Sequence, residues 1–412
     1  MENKTFDELL TKYADVIVAV GLNFKKGQKL AIRATLDDAP FVRKVAESAY
    51  KSGARYVDVL WVDERVTRIR FEHADSESLT EVPNWVFSRY EEHYQHGEPE
   101  LAISSTNPDL FAGIKSELIS KERTARLKKF EPLRKYANAS NWCVAAAASP
   151  AWARKVFPGL STEEAQTKLW EAIFNSCRID TPDPVEAWKT HAEKLSKYQN
   201  HLTKKHYTSL HYKAPGTDLT VGLPEKHIWK SAEASFKNGI TCIVNIPTEE
   251  VYTLPHKDKV NGTVTASMPL NLVGVLIDKI SVTFENGRAV KVTASEGEED
   301  LRKLIETDEN ACRLGEVALV PHSSPISQRG HLFYNTLFDE NASCHIAMGN
   351  AYRDTMTGGI EMTEEEFQSH GGNKSLIHVD FMIGSAEMDI DGIKEDGTRE
   401  PIMRKGEWAF DV

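Results

Sequence analysis

Two histidines in the C-terminal half of the chain stand near residues that could share a metal ion with them. In SCHIAMGNAYRD (residues 343–354), His345 precedes Tyr352 by seven positions, and the Gly-Asn pair between them could turn the chain back. SLIHVDFMIG has the apolar composition of a strand, so His378 and Asp380, two residues apart, would project from the same face. Taken singly, each histidine is more simply a hydrogen-bonded core residue, and Tyr352 a packing residue with its hydroxyl at the surface.

Carboxylates inside apolar segments add to this pattern. Glu250 is the second of two adjacent glutamates after the strand-like segment GITCIVNIP, and spacing alone does not decide whether it or Glu249 faces inward. Glu316 interrupts the apolar segment CRLGEVALVP, where a carboxylate needs a cation or a cluster of hydrogen-bond donors. Glu340 lies five residues before His345 in LFDENASCH, and a surface acid and a site residue explain it equally well.

These side chains would suit a metal site if the fold brings them together. Several carboxylate oxygens, two imidazoles and a phenol, without a thiolate, match divalent ions such as Zn²⁺, Co²⁺, Mn²⁺ or Mg²⁺. One catalytic ion usually takes only about three protein ligands. We therefore expect two ions about 4 Å apart that share a bridging carboxylate.

Other catalytic motifs are missing or unsupported. The sequence contains no HExxH helix of a zinc protease, no GxxxxGK[ST] phosphate loop and no GxSxG nucleophile elbow. An SxxK match at residues 48–51 lies in an amphipathic helix without its companion motifs, so we interpret it as chance. Five scattered cysteines show no CxxC pairing, which indicates reduced thiols in a cytoplasmic protein.

The composition is that of a soluble globular protein, with 41% hydrophobic and 27% charged residues. The formal net charge is −11, and no block of lysine and arginine stands out. We expect neither nucleic acid nor a membrane surface as a partner, because both require concentrated positive charge. The N-terminus is charged from its second residue, which argues against a secretory signal, and no apolar run approaches the roughly 20 residues of a membrane span.

The N-terminal region has the pattern of an α/β domain. After an amphipathic helix, the strand KLAIRA, the helix DAPFVRKVAESAYKSG and the strand RYVDVLWV form a βαβ unit, which predicts a largely parallel sheet. No GxGxxG follows the first strand, so we interpret the unit as a scaffold. The middle of the chain is helical, with a capping box at Ser161 and Glu164 and an N-cap at Asp183.

After the helical region, the sequence changes to short segments in which apolar and polar residues alternate. Asn286-Gly287 lies between two of them and suits the tight turn of a hairpin. We therefore predict an α/β and α+β protein with two domains. Residues 1–205 would form the α/β domain with its helical middle region, and residues 206–412 a mixed, β-rich, metal-binding catalytic domain.

Four segments occur in this order: NIPTEEVYTLPH, GEVALVP, LFYNTLFDENASCHIAMGNAY and HVDFMIGS. Together they resemble the thermophilic metalloprotease family of aminopeptidases, the group of aminopeptidase T, aminopeptidase S and PepS, and the likeness extends over essentially the whole chain. The resemblance implies a metal-dependent enzyme that cleaves N-terminal amino acids from peptides and forms homodimers with enclosed active sites. The metal ligands that it implies are Glu250, Glu316, His345, His378 and Asp380, with Glu340 in the matching acidic segment, and Tyr352 is the implied active-site tyrosine.

The resulting hypothesis is hydrolysis of the first peptide bond by a water molecule shared between two ions. Glu316 could bridge the ions, Tyr352 could bind weakly or stabilise the oxyanion, and the glutamate that acts as the base is open. Two alternatives remain at this stage: another metallohydrolase such as an amidase, and a small-molecule binding protein with a structural cation. A phosphatase fits less well, since no basic residue stands among the motifs to neutralise phosphate.

Overall fold

The computed structural model describes residues 5–136, 138–272 and 275–412. Its helices are α1 (Phe6–Val16), α2 (Ala39–Lys51), α3 (Glu64–His73), α4 (Asn84–Gln95), α5 (Ser116–Phe130), α6 (Pro150–Val156), α7 (Thr162–Ser176), α8 (Pro184–Lys205), α9 (Glu298–Ile305), α10 (Thr336–Asp339) and α11 (Glu364–Ser369). Among these described helices, none combines the length and the apolar character that a membrane crossing requires.

The strands alternate with helices in the first half of the chain and follow one another in the second. They are β1 (Lys29–Thr35), β2 (Tyr56–Val62), β3 (Glu100–Ser104), β4 (Trp142–Ala146), β5 (Ser209–Ala214), β6 (Thr217–Gly222), β7 (Glu233–Ser235), β8 (Thr241–Ile243), β9 (Asn245–Ile246), β10 (Val251–Thr253), β11 (Val260–Thr265), β12 (Leu270–Leu272), β13 (Val275–Ile277), β14 (Ser281–Glu285), β15 (Arg288–Thr293), β16 (Leu314–Leu319), β17 (His345–Gly349), β18 (His378–Met382), β19 (Asp389–Ile393), β20 (Arg399–Arg404) and β21 (Glu407–Trp408).

The chain divides into two compact units. The first contains the residues up to His191 and the segment Glu233–Pro247, and the second contains Ala192–Ala232 and Thr248–Val412. The first unit therefore also includes a short segment that follows α8 in the sequence. The predicted domain limits at residues 205 and 206 coincide with the end of α8 and stay a prediction.

The first unit is built on a five-stranded parallel sheet in the order β2-β1-β3-β4-β9. The apolar residues of β1 alternate, so that Leu30, Ile32 and Ala34 are buried on one face. Helix α2 connects β1 to β2 and is followed by Gly53, whose φ of 90° a glycine adopts without strain. The predicted βαβ unit and its parallel sheet are confirmed.

The second unit is built on antiparallel sheets. An eight-stranded sheet has the order β15-β14-β11-β6-β5-β19-β20-β21, and a four-stranded sheet has the order β10-β16-β17-β18. The predicted hairpin joins β14 to β15 through Asn286 and Gly287, with φ angles of 48° and 80°. The fold class expected from the sequence, a parallel α/β region followed by a β-rich region, is confirmed.

One predicted strand was wrong in its extent. GITCIVNIP does not form a single strand but two, β8 and β9, which belong to different sheets of the first unit. Cys242 of β8 packs in an apolar cluster with Phe236 and Ile240, whereas Ile246 of β9 extends the parallel sheet beside Ala145. The apolar residues of this continuous segment therefore pack in two different places, and the segment forms two strands.

Candidate metal centre

The four-stranded sheet presents the candidate ligands on one face. Glu316 of β16 pairs with Ala347 of β17, and Ala347 pairs with Asp380 of β18. His345 and His378 lie two residues from these positions on β17 and β18. Because side chains alternate along a strand, all four polar side chains emerge on the same side of the sheet.

The first strand of this sheet completes the face, and small residues leave space on it. Glu250 directly precedes β10, two residues before Tyr252, which continues the alternation. Between the polar side chains the face carries Ala318, Ala347 and Gly349. Small side chains at these positions leave room for bound ions between the carboxylates and imidazoles.

The polar side chains form two groups that share Glu316. One group consists of Glu250, Glu316 and His345, the other of Glu316, His378 and Asp380, and the ligand atoms within each group lie within 4.8 Å of one another. Nε2 of His345 is 3.1 Å from Oε2 of Glu250 and 4.0 Å from Oε1 of Glu316. Nε2 of His378 is 3.2 Å from Oε2 of Glu316 and 3.4 Å from Oδ1 of Asp380. The two oxygens of Glu316 thus face different histidines.

Backbone carbonyls orient both imidazoles. Nδ1 of His345 lies 3.1 Å from the carbonyl oxygen of Ser343, and Nδ1 of His378 lies 2.7 Å from that of Asn350. Only a protonated Nδ1 can donate to a carbonyl, so in the neutral ring Nε2 carries the free lone pair. This is the arrangement in which a histidine is held ready to bind a metal ion through Nε2.

The carboxyl groups of the site lie close to one another; Glu250 and Glu316 are buried, and Glu340 and Asp380 are half-buried. Burial raises the pKa of Glu316 to about 7, and the nearby carboxylates contribute in the same direction. Burial also raises the pKa of Glu340 well above its usual value, and the negative charges of Asp380 and Glu250 raise it further. Four carboxyl groups gathered in this way cannot all be ionised without positive charge beside them.

The histidines respond to the same concentration of negative charge. Burial alone would lower the pKa of His345, but the hydrogen bond and charge of Glu250 raise it to about 10. Burial would also lower the pKa of His378, but other groups, chiefly the charge of Asp380, raise it well above its usual value. In return the charge of His378 lowers the pKa of Asp380 although burial would raise it. Divalent cations would replace these protons and balance the carboxylates, so the residues fit a metal site.

The other two candidate residues flank these groups. Glu340 belongs to neither group, although its charge interacts with those of Asp380, Glu250 and Glu316. The ring of Tyr352 lies against that of His378, with centroids 4.6 Å apart, and 45% of the residue is exposed. The fold therefore gathers Glu250, Glu316, His345, His378 and Asp380 into the groups and places Glu340 and Tyr352 beside them.

Sequence reasoning missed several contributors. The carbonyls of Ser343 and Asn350 carry no sequence signal, because every residue has one. Tyr252 lies on the ligand face with its ring centroid 6.3 Å from that of Tyr352, and its place two residues after Glu250 could have indicated it. Asn341 follows Glu340 directly, but a buried asparagine has no pattern of its own.

Gly349 sets the distance between the two strands that carry the histidines, and we expect Gly349→Ala to disturb the site. Gly349 has a φ of 100°, and a Cβ added there would lie 2.3 Å from the carbonyl oxygen of Ile377, next to His378. A displacement of about 1 Å at a catalytic group can cost about 10²-fold in rate, so peptidase activity should fall by tenfold or more. Rate measurements on an aminoacyl-nitroanilide check this.

Gly27→Ala is the matched control for this substitution. Gly27 has a similar φ of 92°, but a Cβ there meets nothing within 4 Å. Both variants introduce backbone strain of about 1–3 kcal/mol, and only Gly349→Ala also introduces the clash with the carbonyl oxygen of Ile377. Equal activity in the two variants would show that the strand spacing at Gly349 does not matter.

Comparison with known proteins gives one matching family and several similar proteins. The model of the family described as thermophilic metalloprotease (M29) matches residues 6–408. Aminopeptidase AmpS of Bacillus subtilis (strain 168) is 47% identical over 408 residues, which cover 98% of this chain and all of that protein. Aminopeptidase T of Thermus thermophilus is 44% identical over 98% of this chain and 99% of its own length. The structure of wild-type AmpT from Thermus thermophilus superimposes with a TM-score of 0.93 at 43% identity, over 98% of this chain and all of that one.

Proposed function

The chain belongs to the thermophilic metalloprotease (M29) family, and from this premise we propose that it removes the N-terminal residue of short peptides with two divalent metal ions and a water molecule that they share. Membership and the aminopeptidase relatives make it a metal-dependent aminopeptidase. To this activity our proposal adds the number of ions, the shared water molecule and the role of each residue.

The observation that carries the proposal is the position of Glu316 between two histidines. Its Oε1 faces His345 and its Oε2 faces His378, and each oxygen belongs to a separate group of candidate ligands. A carboxylate placed in this way can bind one ion through each oxygen. Bridging carboxylates of this kind hold two ions about 4 Å apart in enzymes that hydrolyse amide and phosphate bonds.

The chain's own residues hold and orient the reacting groups. When bound, a pair of divalent ions would polarise the scissile carbonyl and lower the pKa of the shared water towards neutrality. Glu250 and His345 would bind on one side of Glu316, and His378 and Asp380 on the other. The five residues that would bind the ions include three carboxylates, and Glu340 beside them brings the total charge to −4, which two divalent cations would neutralise.

We assign proton transfer to Glu340, the one candidate carboxylate outside both groups. Its Oε1 lies 3.5 Å from Nδ2 of Asn341, which leaves Oε2 to take the proton of the attacking water and deliver it to the leaving amine. The phenol of Tyr352 would donate a hydrogen bond to the oxyanion that develops on the carbonyl.

The substitution Tyr352→Phe tests the hydroxyl group separately from the aromatic ring. Phenylalanine keeps the packing against His378 and removes only the hydrogen-bond donor. Loss of one oxyanion donor costs roughly 10²–10³-fold in kcat, and we expect a fall in this range with little change in KM. Steady-state kinetics on an aminoacyl-nitroanilide measure both, and an unchanged kcat would remove Tyr352 from the chemistry.

Chelation followed by metal add-back tests the proposal as a whole. We expect the chelated protein to lose hydrolysis of Leu-nitroanilide, to keep its far-UV circular dichroism and to regain activity with Zn²⁺, Co²⁺ or Mn²⁺. A structural cation predicts unfolding on chelation instead. Full activity in a chelated sample shown to be metal-free would exclude metal-dependent hydrolysis by this chain.

Three expectations from the sequence remain predictions. These are a native metal among Zn²⁺, Co²⁺, Mn²⁺ and Mg²⁺, a cytoplasmic location and assembly as a homodimer. Peptide substrates fit an aminopeptidase of this family.

A further inference from the structure

A buried asparagine, Asn341, directly follows the carboxylate to which we assign proton transfer. Its exposed fraction is 0%. Burying an amide side chain is costly unless its polar atoms are hydrogen-bonded, so the partners of Asn341 indicate what it holds in place.

The partners of Asn341 lie on two separate segments of the second unit. Oδ1 accepts a hydrogen bond of 2.7 Å from the backbone N–H of Glu249, 92 positions away in the chain. Nδ2 donates to the carbonyl oxygen of Leu337 in α10 at 2.9 Å and lies 3.5 Å from Oε1 of Glu340, the outer limit of a hydrogen bond. One amide thus connects the segment before β10 to the segment that carries Glu340.

Each of these connections ends beside a residue of the site. The N–H of Glu249 lies one residue before Glu250, so fixing it fixes where the Glu250 side chain starts. The bond to Leu337 holds α10, and Glu340 directly follows this helix. A change at Asn341 would therefore move a candidate ligand and the candidate base relative to each other.

We propose that Asn341 is a positioning residue that sets the separation between Glu250 and Glu340. The inference rests on the proposed function, since it presumes that Glu250 binds an ion and that Glu340 moves a proton. Asparagine is suited to this task because it offers an acceptor and a donor on one short, rigid amide. Aspartate lacks the donor, and alanine lacks both groups.

The test compares Asn341→Ala with Asn141→Ala. Asn141 is also 0% exposed and donates to the carbonyl oxygen of Leu22 at 2.5 Å, but it lies in the first unit. Titration with Co²⁺ gives the dissociation constant, the visible absorption spectrum reports the geometry of the bound ion, and kinetics at saturating Co²⁺ give kcat.

We expect Asn341→Ala to raise the dissociation constant for Co²⁺ by about 10–100-fold, to shift the absorption bands and to lower kcat at saturating metal. Asn141→Ala should lower the thermal midpoint yet keep the wild-type dissociation constant and spectrum. A folded Asn341→Ala protein with wild-type affinity, spectrum and kcat would overturn the inference.

Asn341→Asp decides the matter if the alanine variant does not fold. Aspartate has nearly the same volume and keeps the acceptor for the N–H of Glu249, but it presents an oxygen to Leu337 and Glu340. A shifted Co²⁺ spectrum with reduced kcat supports the inference, and a wild-type spectrum and kcat overturn it. Failure of the wild-type protein to bind Co²⁺ would contradict the proposed function itself.

Discussion

Glu316→Gln is expected to reduce kcat/KM by at least about a thousandfold while the protein remains folded. Glutamine has the shape of glutamate but no charge, and its amide nitrogen would point a donor at one of the two groups of ligands. Stabilisation of transition-state charge by bound metal is worth several kcal/mol, and each 1.36 kcal/mol corresponds to a factor of ten in rate. Kinetics on Leu-nitroanilide and circular dichroism measure the two parts of this expectation.

A buried carboxylate of the first unit serves as the control for Glu316→Gln. Asp38 is 2% exposed and accepts hydrogen bonds from Thr35 and Ser105, so Asp38→Asn also neutralises a buried acid. We expect it to change stability but not kcat/KM at saturating metal. Full activity in Glu316→Gln would refute the bridging role, whereas equal losses in both variants would indicate a general effect of removing buried charge.

The pair Glu249 and Glu250 gives the second large effect. Both are buried, with exposed fractions of 4% and 7%, and they are adjacent in the chain. Only Glu250 belongs to a ligand group, where its Oε2 lies 3.1 Å from Nε2 of His345. Altering groups that merely support metal ligands costs about 10–100-fold in affinity or activity, so Glu250→Gln should cost more than about a hundredfold.

Glu249→Gln is the matched variant because it makes the same chemical change one residue away. Its side chain lies outside both ligand groups, so metal affinity and most of the activity should survive. Metal titration and initial rates of the two variants side by side measure the difference. A larger loss in Glu249→Gln than in Glu250→Gln would mean that the inward carboxylate has been assigned to the wrong residue.

The parts of the site that follow local rules could be predicted from the sequence. His378 and Asp380 share a face because alternation in a strand depends only on spacing, and both project from β18 as expected. Glu316 could be singled out because an acid inside an apolar segment requires compensation. The choice of Glu250 over Glu249 needed the family likeness, since both residues are compatible with the same local pattern.

The parts that depend on distant segments could not be predicted. The hydrogen bond of Asn341 joins positions 92 apart, and no periodicity links them. The register of β16 shifts between Leu314 and Glu316, an irregularity that the apolar pattern does not reveal. The carbonyls of Ser343 and Asn350 orient the imidazoles through the backbone, which is chemically alike at every residue.

The central claim is that Glu316 joins two divalent ions, and anomalous diffraction from crystals grown with Zn²⁺ tests it most directly. We predict two zinc peaks per chain about 4 Å apart, each about 2.0–2.2 Å from a different oxygen of Glu316. The first peak should also lie beside Glu250 and His345, and the second beside His378 and Asp380. A single fully occupied peak in a catalytically active crystal, or two peaks with Glu316 bound to neither, would contradict the claim.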